Sequence, residues 1–333
     1  MHPLPKGSLL MRAIYVEDAV KNHPKTAFLC QRFSKKDIIP IRSYSQLFNR
    51  KRQSFRLQKQ NPALIIAKKH ASFLLPTSPD CMIGNLPQYT FSCVLNCPFS
   101  CSYCFLRGRY HSADIVYFVN ADDFQNAIAK KIQEHNARCL FFSGFDSDSL
   151  AMEPILNVLD DFWPFFAARQ DADFELRTKS SAIAPLLKRD PLHNVIVAMT
   201  LTPSSLASLW EKGAASTEKR LKALETLEQH GFSLGIRFDP IFPGYEKAYE
   251  DLVYATFSRL HLESIHSVTL GPMHLSKAGY KRMVSQFPDD RLLARLQETD
   301  QTLSLPEKEA SLLSLKNSLL KIIPQTLLTV HTR

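Results

Sequence analysis

From about residue 86 to residue 285, short apolar runs alternate with longer segments of helical spacing, and this rhythm limits the possible folds more than any other feature. Runs at 88–92, 139–143, 174–178, 194–200, 232–238 and 267–270 read as strands. Segments 122–135, 153–169, 217–230, 245–259 and 276–285 read as helices, and Gly231 stands where the third should stop. Short buried strands joined by helices are βα units, and their strands run parallel because each helix carries the chain back. Six such units predict an α/β fold built on a partial (β/α)6 barrel of the TIM type. By analogy with the full barrel, its chemistry belongs at the C-terminal ends of the strands.

The first 85 residues lack this rhythm. Residues 7–26 read as a helix-turn segment and 44–61 as a basic helix, with Pro76, Pro79 and Pro87 marking a connection over 75–87. The expected division is a basic N-terminal extension packed on the barrel (1–85), the partial barrel (86–290) and a C-terminal extension of helix and strand (291–333). Charge follows the same division. Residues 1–92 hold 15 Lys and Arg against four acids, Glu17, Asp18, Asp37 and Asp80, so this region carries +11 and the remainder −2. The densest part runs from Arg50, Lys51 and Arg52 through Arg56 and Lys59 to Lys68 and Lys69, with Phe48, Phe55 and His70 interleaved. Such a region gains affinity for a polyanion by displacing counterions. A solvated helix face accounts for the charge equally well.

No run of eighteen apolar residues is present, so no membrane span is expected. Glu17 and Asp18 fall where the apolar core of a secretory signal would have to continue. Four of the seven cysteines lie between Cys93 and Cys104. A secreted disulfide framework would spread them, whereas a cytosolic metal site groups them, so a cytoplasmic location is expected.

The core of that group is Cys97-Pro-Phe-Ser-Cys101-Ser-Tyr-Cys104, directly after a predicted strand. Structural zinc takes four ligands, commonly as two paired knuckles, and no second knuckle is nearby. Ferredoxin-type clusters also use four cysteines. Three cysteines on one tight loop leave one iron of a [4Fe–4S] cube without a protein ligand. S-adenosylmethionine (SAM) can chelate that iron and be cleaved by an electron from the cluster, which is radical SAM chemistry. Tyr103, one residue before the last cysteine, fits the motif. The ends of the predicted strands supply further candidates: Ser143 and Gly144, Lys179, and Thr200 with Thr202. Gly144 would permit close backbone approach or would simply make a turn. Arg237 and Asp239 flank the end of the fifth strand, where a charged pair is more often structural than catalytic.

At this point the sequence resembles the spore photoproduct lyases, from about Ile14 to the C-terminus. The resemblance rests on Cys97–Arg107, YFVNADDF at 117–124, FELRTKS around Lys179, 213–220, SLGIRFDPI at 233–241, TLGPMHLSKAGYKRM at 269–283 and FPDDRL at 287–292. It implies a partial barrel that uses a SAM-derived 5′-deoxyadenosyl radical to cleave a methylene-linked thymine dimer in DNA. It assigns Cys97, Cys101 and Cys104 to the cluster, Lys179 and the stretch Ser143 to Ser147 to SAM, and Tyr103 to a radical relay. DNA would be held through the basic N-terminal region, an electron donor such as flavodoxin or ferredoxin would be needed, and the enzyme would be a monomer. Two positions depart from the family. Its hydrogen-donor cysteine is replaced by Phe145, and the tyrosine after the third cluster cysteine by Phe105. Neither phenylalanine has a weak X–H bond to give up. The family's Gly- and Tyr-rich C-terminal segment is replaced by the Leu-rich residues 299–333. The readings are therefore repair of the dimer or related DNA chemistry, the same chemistry on a non-DNA substrate, and a non-enzymatic iron–sulfur or zinc protein that binds nucleic acid.

Overall fold

The computed structural model describes residues 11–298 and 302–331. Its main sheet has eight strands: β1 (Leu74–Pro76), β2 (Gln88–Phe91), β3 (Cys139–Ser143), β4 (Ala172–Thr178), β5 (Val195–Thr200), β6 (Ser233–Ile241), β7 (Ile265–Pro272) and β8 (Leu328–Val330). They lie side by side in the order β8-β7-β6-β5-β4-β3-β2-β1. β2 to β7 are all parallel. β8 extends the sheet in parallel beyond β7, and β1 caps the other edge antiparallel to β2. The two edges do not pair, so the sheet is an open half-barrel, as the six-unit rhythm predicts.

The pleat decides what faces inward. On β4, Phe174 lies flat on Phe166 of the helix Val158–Ala167, with ring centroids 4.3 Å apart. Side chains alternate along a strand, so Glu175, Arg177 and then Lys179 point into the lumen. Phe142 and Ile196 lie level with Glu175 and Leu140 two residues lower, and Ile83 packs with all three. It is carried there by the Pro-rich connection, which Gln88 holds by bonding both the amide and the carbonyl of Ile83. The lower end of the barrel is therefore filled with apolar side chains.

The structure corrects the reading of the N-terminal region. Residues 14–17 form a strand rather than part of a helix-turn, and the helix Pro24–Arg32 follows (7–10 lie outside the described residues). Strands Ile14–Glu17, Ile38–Ile41 and Leu64–Ala67 make a second sheet with Ile115–Phe118 and Val94–Leu95. Each is too short for its periodicity to show in sequence, and pairing with partners distant along the chain decides its state. The basic helix expected at 44–61 is two short ones, Ser45–Phe48 and Phe55–Gln60. Ser54 starts the second by accepting from the Leu57 amide at 3.3 Å. Phe48 and Phe55 are buried, so neither is available to stack on a base. The helix expected at 153–169 also breaks, at the left-handed Asn157. There the Glu153 carboxylate turns back to cap the amides of Val158 and Leu159, at 2.8 and 3.1 Å.

Arg237 and Glu175 form a fully buried pair at 2.7 Å across the lumen, and Arg237 also donates to Ser267. Burial acts to raise the Glu175 carboxyl, but Arg237 and Arg177 outweigh it and hold the group at about 2. That lies below the ordinary glutamate value of about 4.3. The stability Glu175 contributes is therefore complete above about pH 4.3 and is lost as pH falls toward 2. Glu175→Gln should lower the unfolding free energy at neutral pH by about 3 kcal/mol or more, because it leaves a buried guanidinium unpaired. It should also flatten the loss of stability below about pH 4. Urea unfolding of both proteins across this range is the measurement, and an unchanged acid limb would place the acid sensitivity elsewhere.

Candidate active site at the cysteine loop

The cysteine loop has little regular structure of its own, and its shape comes from its neighbours. Asn96 enters it with φ 67°, a conformation asparagine tolerates. Its buried carboxamide closes the base of the loop by donating to the carbonyls of Ser112 and Asp114, at 2.8 and 2.7 Å. Ser100 and Cys101 pair antiparallel with Glu211 and Lys212. The Ser102 amide donates to the Trp210 carbonyl at 2.8 Å, and the Cys104 amide turns back to Cys101 at 3.1 Å. All three cysteines are free. Burial pushes the Cys101 thiol up to about 12 and the Cys97 thiol well up too. Left alone, these groups stay protonated, and only a bound cation makes their thiolates tolerable. Among the described residues no three His, Cys, Asp or Glu groups converge on a single ion.

Two buried carboxylates attach this loop and its neighbours to the strand ends. Glu211 accepts from the Tyr103 hydroxyl, from Arg220 and, at 3.0 Å, from Thr202. Burial opposes its ionisation, but Lys179 and Arg220 keep it below the usual carboxylate range. Arg220 is fully buried and also donates to the Thr200 carbonyl at 2.8 Å. On the other side, Asp148 accepts from the Thr178 hydroxyl and the Lys179 amide, both at 2.6 Å, and from the Leu150 and Ala151 amides. Ser147 donates to the Asn96 carbonyl at 2.8 Å, tying this second loop to the first.

The strand-end residues predicted from sequence lie at the C-terminal ends of β3, β4 and β5, and Lys179 reaches the cysteine loop. Lys179 extends from β4 with its ammonium 5.5 Å from the Tyr103 ring centre. Gly144 follows β3 with φ 86°, and a Cβ there would lie 2.5 Å from the Ser149 hydroxyl, so only glycine fits. Ser143 meets Ser149 at 2.8 Å. Thr200 is buried at the end of β5, in register with Arg237. Thr202 is committed to Glu211, and Arg237 belongs to the ion pair lower in the lumen. Stretches far apart in sequence, at 97–107, 143–149, 174–180 and 211–220, thus form one mouth.

At the rim, Phe105 and Phe145 are exposed and adjacent, with ring centroids 5.2 Å apart. The Arg109 guanidinium lies 5.9 and 5.4 Å from the two rings and is held by Asp146 at 3.1 Å. The two positions that depart from the resemblance are therefore neighbours in space. Sequence reasoning missed Glu211, which lies beside a matched stretch without belonging to it, and gave no task to Asp148, which ends the run 144–148. It also missed Lys59, counted there among the solvent-facing charges. Its ammonium donates to the Cys97 carbonyl.

The family model described as spore photoproduct lyase matches residues 10–302. Among solved structures the chain is similar to a spore photoproduct lyase complexed with dinucleoside spore photoproduct, with TM-score 0.80 and 18% identity, covering 97% of this chain and 98% of that one. A mutant spore photoproduct lyase with bound AdoMet and dinucleoside spore photoproduct gives TM-score 0.79 and 17% identity over the same shares. At such identities the likeness to these structures is one of fold. No curated protein sequence gives a significant match. Among the described residues no helix is long and apolar enough to cross a membrane.

The short helix Leu106–Arg109 that follows the cysteines packs on the helix Lys277–Gln286 through two glycines. A Cβ on Gly108 would overlap the Gly279 carbonyl, a backbone group that cannot swing aside. Gly108→Ala should destabilise the fold by about 1–3 kcal/mol, as overpacking does. Thermal unfolding reads the effect, and an unchanged midpoint would show that the two helices can separate freely.

Proposed function

The chain belongs to the spore photoproduct lyase family of radical SAM lyases, and on that premise we propose that Cys97, Cys101 and Cys104 hold a [4Fe–4S] cluster that works with SAM on lesion-bearing DNA. The observation that carries this reading is the mouth itself: three free cysteines on one loop, surrounded by the ends of parallel strands. When bound, the cluster and SAM supply an electron and a 5′-deoxyadenosyl radical, which starts the chemistry by taking hydrogen from a substrate carbon.

The protein's own groups then have distinct tasks. Lys179 offers a cation to the carboxylate of SAM, and Asp148 fixes the backbone from which it reaches. Ser143, Gly144 and Thr200 offer hydroxyl and backbone groups at the adjoining strand ends. Burial and Glu211 push the Tyr103 phenol well above its ordinary range, so its proton stays on the oxygen until a hydrogen atom is called for. Phe105, Phe145 and Arg109 present two ring faces and a guanidinium at the rim, the groups on which an unstacked base rests. The relatives' structures with dinucleoside spore photoproduct support a lesion of that kind as substrate.

Anaerobic reconstitution should give about four irons per chain. Cys97→Ala, Cys101→Ala or Cys104→Ala should lose the cluster, while Cys30→Ala and Cys81→Ala keep it. Reduced protein given SAM and DNA carrying the methylene-linked thymine dimer should release 5′-deoxyadenosine, and product analysis decides the substrate. A colourless protein with tightly bound zinc would end the reading.

The same chemistry on a non-DNA substrate is the second reading, and the Phe105–Phe145 pair favours it. Without a thiol at residue 145 or a phenol at 105, a product radical on thymine has no donor at these positions. Dimer repair by the natural chain should then be slow and give side products. Phe145→Cys with Phe105→Tyr should raise clean turnover. Clean multiple turnover by the unmodified chain would show that another residue supplies the hydrogen. A double variant that cleaves SAM normally but leaves the dimer intact would favour the non-DNA substrate.

A further inference from the structure

We propose that Lys59 is a positioning residue for electron transfer: its ammonium is a fixed positive charge that raises the reduction potential of the cluster on Cys97, Cys101 and Cys104. The proposal rests on the cluster reading above. Lys59 lies on the helix Phe55–Gln60, four residues after Phe55 and so on the same face. Phe55 is buried, with its ring 6.4 Å from that of Phe287, and this anchor turns Lys59 toward the cysteine loop. There the ammonium donates to the Cys97 carbonyl.

Lys59 differs from its basic neighbours in sequence. Arg50, Lys51, Arg52 and Arg56 are exposed to solvent, and Arg56 pairs with Asp289 at the surface. Lys59 has no carboxylate ion-pair partner among the described residues. Arg107, a neighbouring cation, is committed to Asp290 at 2.7 Å and to the Ser102 carbonyl. A half-buried ammonium with no counter-charge is costly, and iron-bound thiolates are the negative groups its surroundings offer. A cube held by three thiolates becomes more negative by one charge when it accepts an electron. A cation beside it favours that state, and net charge around a cluster is one of the terms that set its potential.

The test uses the full chain, reconstituted anaerobically without SAM, and a potentiometric titration followed by electron paramagnetic resonance. Lys59→Gln keeps an N–H donor for the Cys97 carbonyl but no charge, Lys59→Met keeps neither, and Lys59→Arg keeps both. Full iron content with a midpoint shifted to more negative potential in Gln and Met, and near the natural value in Arg, is the expected result. Loss of the cluster from Gln and Met but not from Arg would also support a required charge. A Gln variant with full iron and an unchanged midpoint overturns the proposal. So does loss of the cluster from all three variants, or an Arg variant shifted as far as Gln, since Lys59 would then act by packing. Failure of the natural chain to take up iron would instead overturn the cluster reading, before any variant is made.

Discussion

The mouth of this barrel depends on one buried carboxylate. Glu211 receives a phenol from the cysteine loop, a hydroxyl from the chain beyond β5 and a guanidinium from the helix Thr217–Gln229. Each donor alone would be a modest interaction, but in a dry interior the group must keep all of them or carry an unmet charge. Three elements with no common sequence context are therefore fixed by one side chain. Asp148 does the same across the mouth, joining the loop after β3 to the end of β4. The apolar core places the strands, and these two acids decide where the loops beyond them stand.

The barrel was legible in sequence because its strands are buried on both sides. They read as unbroken apolar runs, and the helices between them carry a one-sided stripe, so observed and expected helix ends at 121–135, 217–229 and 246–257 differ by a residue or two. The cysteine spacing was legible because ligand geometry is local. The second sheet was not. Its strands at 14–17 and 38–41 are short and flanked by charge, and partners distant in sequence decide their state. The break at Asn157 was hidden for another reason: it depends on Glu153, which is buried and caps the next helix. Glu211 belongs to no pattern, because a tertiary hydrogen-bond acceptor needs no particular spacing.

The positive charge of the first 92 residues is also less uniform than a count suggests. Arg12 makes a two-pronged contact with buried Asp114, with both bonds at 2.6 Å. Lys25 pairs with Asp161, and Arg32 donates to the Pro154 carbonyl. Lys59 turns inward to the cysteine loop. Part of the charge is therefore committed inside the fold, and Lys25 and Arg32 tie the N-terminal region to the helices beside the main sheet. Long basic side chains suit this task because an apolar stem can cross an interface before the charged head finds its acceptor.

The strands Val94–Leu95 and Ile115–Phe118 pair antiparallel, and the residues between them include the whole cysteine motif. The motif is thus an excursion whose two ends are joined by sheet hydrogen bonds and by the Asn96 carboxamide. Closing a flexible segment of this length costs a few kcal/mol of chain entropy, growing only slowly with length. Here the second sheet and the Asn96 carboxamide join the two ends with hydrogen bonds that need no metal. A cluster held by this loop would bind between ends that the protein's own hydrogen bonds join, whereas a zinc finger's fold waits for its ion. The N-terminal strands, although far from the rim, are part of what keeps the loop ready.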